Sequence, residues 1–300
     1  MSKLIDYLST SLKIENKVLL EKDIFLHELL IRLLQEDYFN ENLVFKGGTC
    51  LIKCYLRYYR FSEDIDFSWT AQEEFKNKSQ KEIRRLLSGK ISSLCLILEK
   101  IAASMRLDFK GIKSNPKYIE LGGSNKFTTF KLWYKSTVLG REQFIKIQIN
   151  FLEEFEYPFK VNKAHSILKG INEEEFKFLF PEHELLLSVP QVKCYSLKEI
   201  LIEKVRAILT RKGIKSRDFV DIYLILKHEK VKLAEVQEQI IKKTKFMMRY
   251  DKYIQNLKDF KLEKFVLGDE EKLMLIPLDK GFEEFLKEIH QFLSDIIKRI

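Results

Sequence analysis

Leu43-Val44-Phe45-Lys46-Gly47-Gly48-Thr49, followed a helical stretch later by Arg60-Phe61-Ser62-Glu63-Asp64-Ile65-Asp66-Phe67, is the part of the sequence that decides the fold. Leu43–Lys46 reads as a short strand, the glycine pair as a tight turn, residues 49 to 58 as a helix, and the alternating Asp64–Phe67 as a second strand. Side chains two apart on a strand share a face, so Asp64 and Asp66 project their carboxylates side by side. Such a pair repels itself unless a positive group sits between the two, and a hard divalent cation suits their oxygens. Mg²⁺ is the expected ion, with Mn²⁺ as the alternative, and Asp64 and Asp66 are its expected ligands. The glycines let backbone approach a phosphate closely, and the start of the following helix offers N–H groups to an anion. Either half of this pattern alone is common by chance. Both in this order read as one site for a nucleoside triphosphate.

Working outward, residues 18 to 38 place apolar side chains at helical spacing, and residues 71 to 103 read as another helix with LCLILEKIAA buried. Three segments then alternate as strands do: SMRLDFKG, KFTTFKLWY and FIKIQINF, separated by Pro116 and by Gly122-Gly123. With no helix between them, they are expected to add antiparallel to one sheet. The N-terminal half is thus a small mixed sheet backed by helices. From about residue 196 the pattern is helical. Ser196 three residues before Glu199 is a capping-box signature, SRDFVDIYLILKH is a further helix, and the last helix carries Phe282, Phe285, Leu286, Ile289, Phe292, Leu293 and Ile296 on one broad apolar face. The expected class is α+β, with one domain over 1–190 and a helical domain over 191–300.

Composition bounds the function. Apolar residues are 45% and charged residues 32% of 300, which excludes a mostly disordered chain. No apolar run approaches the roughly 18 residues of a membrane span, and the N-terminus lacks a signal-peptide pattern, so a soluble cytoplasmic protein with no membrane partner is expected. A formal net charge of +9 favours anionic partners such as nucleic acid or nucleotides. Four scattered cysteines, Cys50, Cys54, Cys95 and Cys194, read as reduced thiols. Cys50 and Cys54 are one helical turn apart, but the sequence puts no third ligand beside them, and no zinc site is expected.

The run GGT, helix, RFSEDIDF resembles the AbiEii/AbiGii type of toxin, the nucleotidyltransferase of type IV toxin–antitoxin systems within the polymerase-β-like superfamily. A second block agrees: Leu197-Lys198-Glu199-Ile200, Glu203-Lys204-Val205-Arg206-Ala207, and Arg217-Asp218-Phe219-Val220-Asp221-Ile222-Tyr223. The resemblance spans most of residues 44 to 226. It implies a polymerase-β-like nucleotidyltransferase domain, with the helical domain completing its cleft. It also implies catalytic roles for Asp64, Asp66, Lys204 and Asp218, and a nucleotide-binding set of Gly47, Gly48, Thr49, Ser62, Lys204 and Arg217. Lys204 would neutralise the triphosphate, and Asp218 would orient Lys204 or help activate the acceptor hydroxyl. The rival role for Asp218 is dipole compensation at a helix start. Arg211 joins Arg217 as a phosphate contact; Asp221 and Tyr223 read as structural. One departure stands out. Superfamily members usually carry a third carboxylate on a later strand, where Phe144–Asn150 offers only Gln148 or Asn150, and Lys146 there could face nucleotide or solvent.

The leading expectation is a Mg²⁺-dependent toxin that moves a nucleotidyl group from an NTP to an acceptor. That acceptor is the 3′ end of tRNA by resemblance, or another RNA or a protein hydroxyl, and a cognate antitoxin is the implied partner. The alternatives are a catalytically weak relative that only binds RNA or nucleotide, which the missing carboxylate motivates, and a metal-dependent nuclease, which would leave the glycine turn unexplained.

Overall fold

The computed structural model describes residues 1–260 and 266–300. Seven strands make one mixed sheet: β1 (Leu43–Lys46), β2 (Asp64–Trp69), β3 (Ile119–Gly122), β4 (Phe127–Lys135), β5 (Glu142–Asn150), β6 (Lys160–Lys163) and β7 (Gln191–Cys194). Their spatial order is β3-β4-β5-β2-β1-β7-β6. β2 lies at the centre, antiparallel to β1 and parallel to β5. The helices are α1 (Ser2–Leu12), α2 (Lys17–Leu34), α3 (Asp37–Asn42), α4 (Gly47–Leu51), α5 (Gln80–Ser104), α6 (Glu173–Leu179), α7 (Leu197–Thr210), α8 (Ser216–Glu229), α9 (Gln237–Met247), α10 (Asp251–Lys258) and α11 (Gly281–Arg299). The α+β class expected from the sequence is the one observed.

The chain forms two compact units, Met1–Glu153 with Phe159–Cys194, and Glu154–Pro158 with Tyr195–Ile300. In the first unit the period-2 pattern divides the sheet into two chemically different faces. Ile65, Phe67 and Trp69 of β2 share one face with Phe45 and with Ile145, Ile147 and Ile149 of β5, all essentially inaccessible. Phe39 of α3 meets Phe67 edge to face at 4.9 Å, and Phe45 lies 5.4 Å from the same ring. Each such side chain stabilises by about 1.5–3 kcal/mol through burial. The other face carries Asp64, Asp66 and Ser68.

α4 follows β1 directly and widens into a π-turn over Ile52–Leu56. The helix therefore starts and stops two residues sooner than the 49 to 58 expected. The π-turn is held by a buried polar knot: Lys53 Nζ lies 3.0 Å from Asp23 Oδ1 and donates to the Tyr58 hydroxyl, which donates to Asp23 Oδ2 at 2.9 Å. Arg57, at φ 63°, ends the turn.

Several expectations are corrected. The long first helix is two helices, α2 and α3, broken near Glu36. The helix expected from residue 71 starts at Gln80, behind a full capping box between Ser79 and Glu82. SMRLDFKG is not a strand: α5 runs through Ser104, and of this segment only Asp108 bridges the sheet, to Trp133. The third strand is Ile119–Gly122 instead, and β6 and β7 were not anticipated. β4 and β5 match KFTTFKLWY and FIKIQINF and pair antiparallel, but β5 joins β2 in parallel.

In the second unit, α7 begins as its cap predicts, with Ser196 Oγ accepting from the Glu199 N–H at 3.2 Å. The return half of the capping box is absent because Glu199 is buried and spent elsewhere. It accepts from Lys243 Nζ and from the backbone N–H groups of Glu156 and Tyr157. Burial pushes its carboxyl up, with Lys243 opposing. On α11, Phe282, Phe285, Ile289, Leu293 and Ile296 are buried, so the broad apolar face is core. Among the described residues no helix is long and apolar enough to cross a membrane.

Candidate active site

The register of the sheet sets the polar face out in rows. Lys46 of β1, Asp66 of β2, Gln148 of β5 and Thr129 of β4 stand side by side across four strands. In the next row Asp64 stands beside Lys146, whose Nζ lies 3.7 Å from Asp64 Oδ1. Lys146 therefore reaches toward Asp64 while staying partly exposed. Asp64 Oδ1 is buried and accepts no hydrogen bond among the described residues. A carboxylate oxygen withdrawn from water without a donor costs on the order of 1–3 kcal/mol, more when charged. A divalent cation at the Asp64 and Asp66 oxygens would remove that cost, so the donor set fits Mg²⁺ or Mn²⁺.

The glycine turn is shaped around the same carboxylate. Gly47 has φ +78°, and a Cβ there would lie 2.2 Å from Asp66 Oδ2. Both the left-handed backbone and the close approach demand glycine. At Gly48 a Cβ would fall 2.6 Å from Arg60 Nη2 and 3.2 Å from Ser62 Oγ. Arg60 is buried, and its Nη1 donates to the Phe61 carbonyl at 2.7 Å, so a fixed guanidinium stands behind the turn. The sequence reading passed over Arg60 although it opens RFSEDIDF. Thr49 points inward: its hydroxyl donates to the Asp64 carbonyl and lies 2.8 Å from Ser62 Oγ. Thr49 and Ser62 thus tie α4 to the start of β2, while Gly47, Gly48 and Ser62 keep partial exposure.

The structure supplies a further carboxylate close to β5. Asn150 donates through Nδ2 to Glu153 Oε2 at 2.7 Å, and Lys46 Nζ is 3.2 Å from the same oxygen. Glu153 is buried. Gln148 donates to Thr129 Oγ1 at 3.4 Å. Glu153 lies just past the strand, in no alternating pattern, and no sequence signal marked it.

In the second unit, Lys204 of α7 meets Asp218 Oδ1 at 2.7 Å and Asp221 Oδ2 at 2.6 Å, and Arg211 Nη1 meets Asp218 Oδ2 at 2.6 Å. Asp218 and Asp221 are one turn apart on α8 and both buried, so two cations face two carboxylates. Burial alone would push the Asp218 carboxyl up, but Lys204 and Arg211 outweigh it and hold the group below its ordinary value. The structure brings Lys204 and Asp218 together as expected and adds Asp221 and Arg211 to the cluster. Arg217 is engaged elsewhere: its backbone N–H donates to Glu270 at 2.8 Å, and its Nε is 3.4 Å from that carboxylate. Tyr223 hydrogen-bonds Asp279 and packs on Phe282 and Phe285, a structural placement.

Against known proteins, no curated protein matches the chain. Two crystal structures from Helicobacter pylori resemble it, JHP933 and a protein proposed to be a nucleotidyltransferase, each at 18% identity and TM-score 0.41. The first likeness covers 92% of both chains; the second covers 95% of this chain and 97% of the other. The model of the family described as nucleotidyl transferase AbiEii toxin, type IV TA system, matches residues 28–299, a range that holds the glycine turn, both aspartates of β2 and the Lys204 cluster. The chain therefore belongs to the AbiEii nucleotidyltransferase toxins of type IV toxin–antitoxin systems.

Proposed function

We propose that this nucleotidyltransferase is Mg²⁺-dependent, that its acceptor is the 3′ end of tRNA, and that the modified tRNA no longer supports translation. The observation that carries the metal-dependent reading is Asp64 Oδ1, buried and without a hydrogen-bond donor among the described residues, beside an Asp66 carboxylate around which Gly47 is fitted. A bound divalent ion would supply charge neutralisation at the phosphates and a Lewis acid at the attacked phosphorus. The remaining steps belong to side chains and backbone. Gly47 and Gly48 admit the triphosphate to within contact of the main chain, with Ser62 at the edge of the turn. Lys146 balances part of the charge at Asp64. Lys204 and Arg217 are proposed as cationic contacts to the nucleotide. Asp218 is proposed to hold Lys204 in place or to take the proton of the acceptor hydroxyl as its oxygen bonds to the α-phosphorus and pyrophosphate leaves. The formal charge of +9 favours an RNA acceptor. The family implies a cognate antitoxin as partner, and we place the reaction in the cytoplasm, where tRNA and NTP are found together.

The test incubates the purified chain with total tRNA, Mg²⁺ and each NTP radiolabelled at the α-phosphate in turn, beside Asp66→Ala. Label on tRNA that needs one NTP and vanishes in the variant is the expected result. Label on protein instead would move the acceptor to a protein hydroxyl. RNA shortened without any NTP would overturn the transferase reading in favour of a nuclease.

A further inference from the structure

Three of the four cysteines converge. Cys50 sits on α4, Cys54 one turn later in the π-turn, and Cys194 at the end of β7, where it is the register partner of Phe45 on β1. Their sulfurs all lie within 4.8 Å of one another. The sequence reading left Cys50 and Cys54 without a third ligand because Cys194 is far along the chain; the parallel pairing of β7 with β1 delivers it. We propose that Cys50, Cys54 and Cys194 form a binding site for one thiophilic d¹⁰ cation, Zn²⁺ or Cu⁺, unrelated to the carboxylate site.

The geometry is close to what such an ion needs. Metal–sulfur bonds of about 2.3 Å place sulfurs about 3.8 Å apart in a tetrahedral site and about 4.0 Å apart in a trigonal one. Closing the cluster onto a metal therefore asks each sulfur to move by less than about 1 Å. Soft thiolates select Zn²⁺ and Cu⁺ over the hard cations that suit Asp64 and Asp66. The Tyr55 hydroxyl lies 3.5 Å from Cys194 Sγ, at the edge of the cluster. On binding, three sulfur–metal bonds form and three thiol protons leave to solvent. Cys54 is partly exposed and gives the way in, whereas Cys95, the remaining cysteine, lies apart and serves as the internal control. Because Cys50 follows Thr49 and Cys194 pairs beside β1, a bound ion would staple β7 to the helix that carries the glycine turn. The bearing of that staple on catalysis rests on the reading proposed above.

The experiment uses the full chain, reduced with a phosphine, stripped with chelator and titrated anaerobically with Co²⁺ as a spectroscopic stand-in. A thiolate-to-cobalt charge-transfer band that saturates at one equivalent, bleaches on adding Zn²⁺ or Cu⁺, is lost in Cys194→Ser and is unchanged in Cys95→Ser is the expected result. Far-UV circular dichroism checks that the variants fold, and X-ray absorption on the Zn²⁺- and Cu⁺-loaded wild type counts the sulfurs if Cys194→Ser does not. An oxygen-only coordination shell, the absence of the band in folded wild type, or a Cys50–Cys54 or Cys50–Cys194 disulfide that forms in place of metal binding would overturn the proposal. Asp66→Ala is expected to keep the band in full, so failure of the transferase reading and failure of this one are separable.

Discussion

Replacing Gly47 by alanine separates the shape of the turn from its chemistry. The residue sits at φ +78°, where a Cβ costs about 1–2 kcal/mol in backbone strain. The new methyl would also stand 2.2 Å from Asp66 Oδ2, well inside van der Waals contact. β2 is held by hydrogen bonds on both sides, so the relief falls on the Asp66 side chain, which must rotate away at a further ~0.5–1.5 kcal/mol. Together these predict a loss of about 2–3 kcal/mol in stability, on the order of 5–10 °C in Tm for a unit of this size. If Asp66 holds the metal as proposed, displacing its carboxylate by about 1 Å should cost on the order of 100-fold in kcat/KM. Gly140→Ala is the control: it too has a positive φ, +67°, but among the described residues nothing lies within 4 Å of its added Cβ. It should lose only the strain and keep its activity. The assay is label transfer from the α-phosphate of NTP beside a thermal melt of each variant. If Gly47→Ala melted lower yet transferred label at about the rate of Gly140→Ala, the link between the turn and Asp66 would be wrong.

Asp64→Asn should abolish transfer while leaving the apo protein as stable as wild type or more so, because it removes a charge whose buried Oδ1 has no donor among the described residues; Mg²⁺ should raise the Tm of wild type and not of this variant, as differential scanning fluorimetry would read. Lys204→Met removes the cation that two buried carboxylates share, leaving Arg211 on Asp218, and should destabilise by about 3–5 kcal/mol in a denaturant titration. Because the Asp218 carboxyl is held below its ordinary value, its contribution to stability is full above the ordinary carboxylate range near pH 4 and is lost as pH falls through the folded value. Arg211→Ala, which removes one of the two cations responsible, should therefore shift acid unfolding to higher pH. Glu153→Gln should lower stability modestly by breaking the pair with Lys46, and a loss of transfer much larger than that would make Glu153 part of the site.

What could be read from the sequence was local. Strand, glycine turn, helix and strand occupy residues 43 to 69 with no long connection, so propensity and spacing sufficed. The capping serine at 196 and the apolar face of α11 are likewise local signals. What could not be read depends on pairing. SMRLDFKG alternates like a strand, but α5 consumes its first residue and Asp108 alone bridges the sheet. β6 and β7 are four residues each, too short for alternation to speak. Cys194 joins Cys50 and Cys54 only through the contact of β7 with β1, and the pairing of Lys204 with Asp221 as well as Asp218 depends on how α7 packs on α8.

The composition of β2 gives the strongest physical reason to place function on its polar face. A strand at the centre of a seven-stranded sheet has neighbours on both sides, and its interior position favours apolar residues wherever a face is covered. β2 obeys on one face, with Ile65, Phe67 and Trp69, and departs on the other with two aspartates and a serine. The departure has partial compensation built around it. Lys146 stands beside Asp64, but its Nζ stays 3.7 Å from Asp64 Oδ1. A purely structural role would favour completing that contact, since a buried carboxylate oxygen without a donor is costly. Leaving it incomplete would keep an oxygen available to the proposed cation, and local rules broken in this way mark functional sites. The reasoning ties the Asp64 prediction to the fold. A variant that brought the cation at position 146 into hydrogen-bond contact, such as Lys146→Arg with its longer reach, should stabilise the apo protein while weakening Mg²⁺-dependent transfer, and an arginine there that left both unchanged would sever the tie.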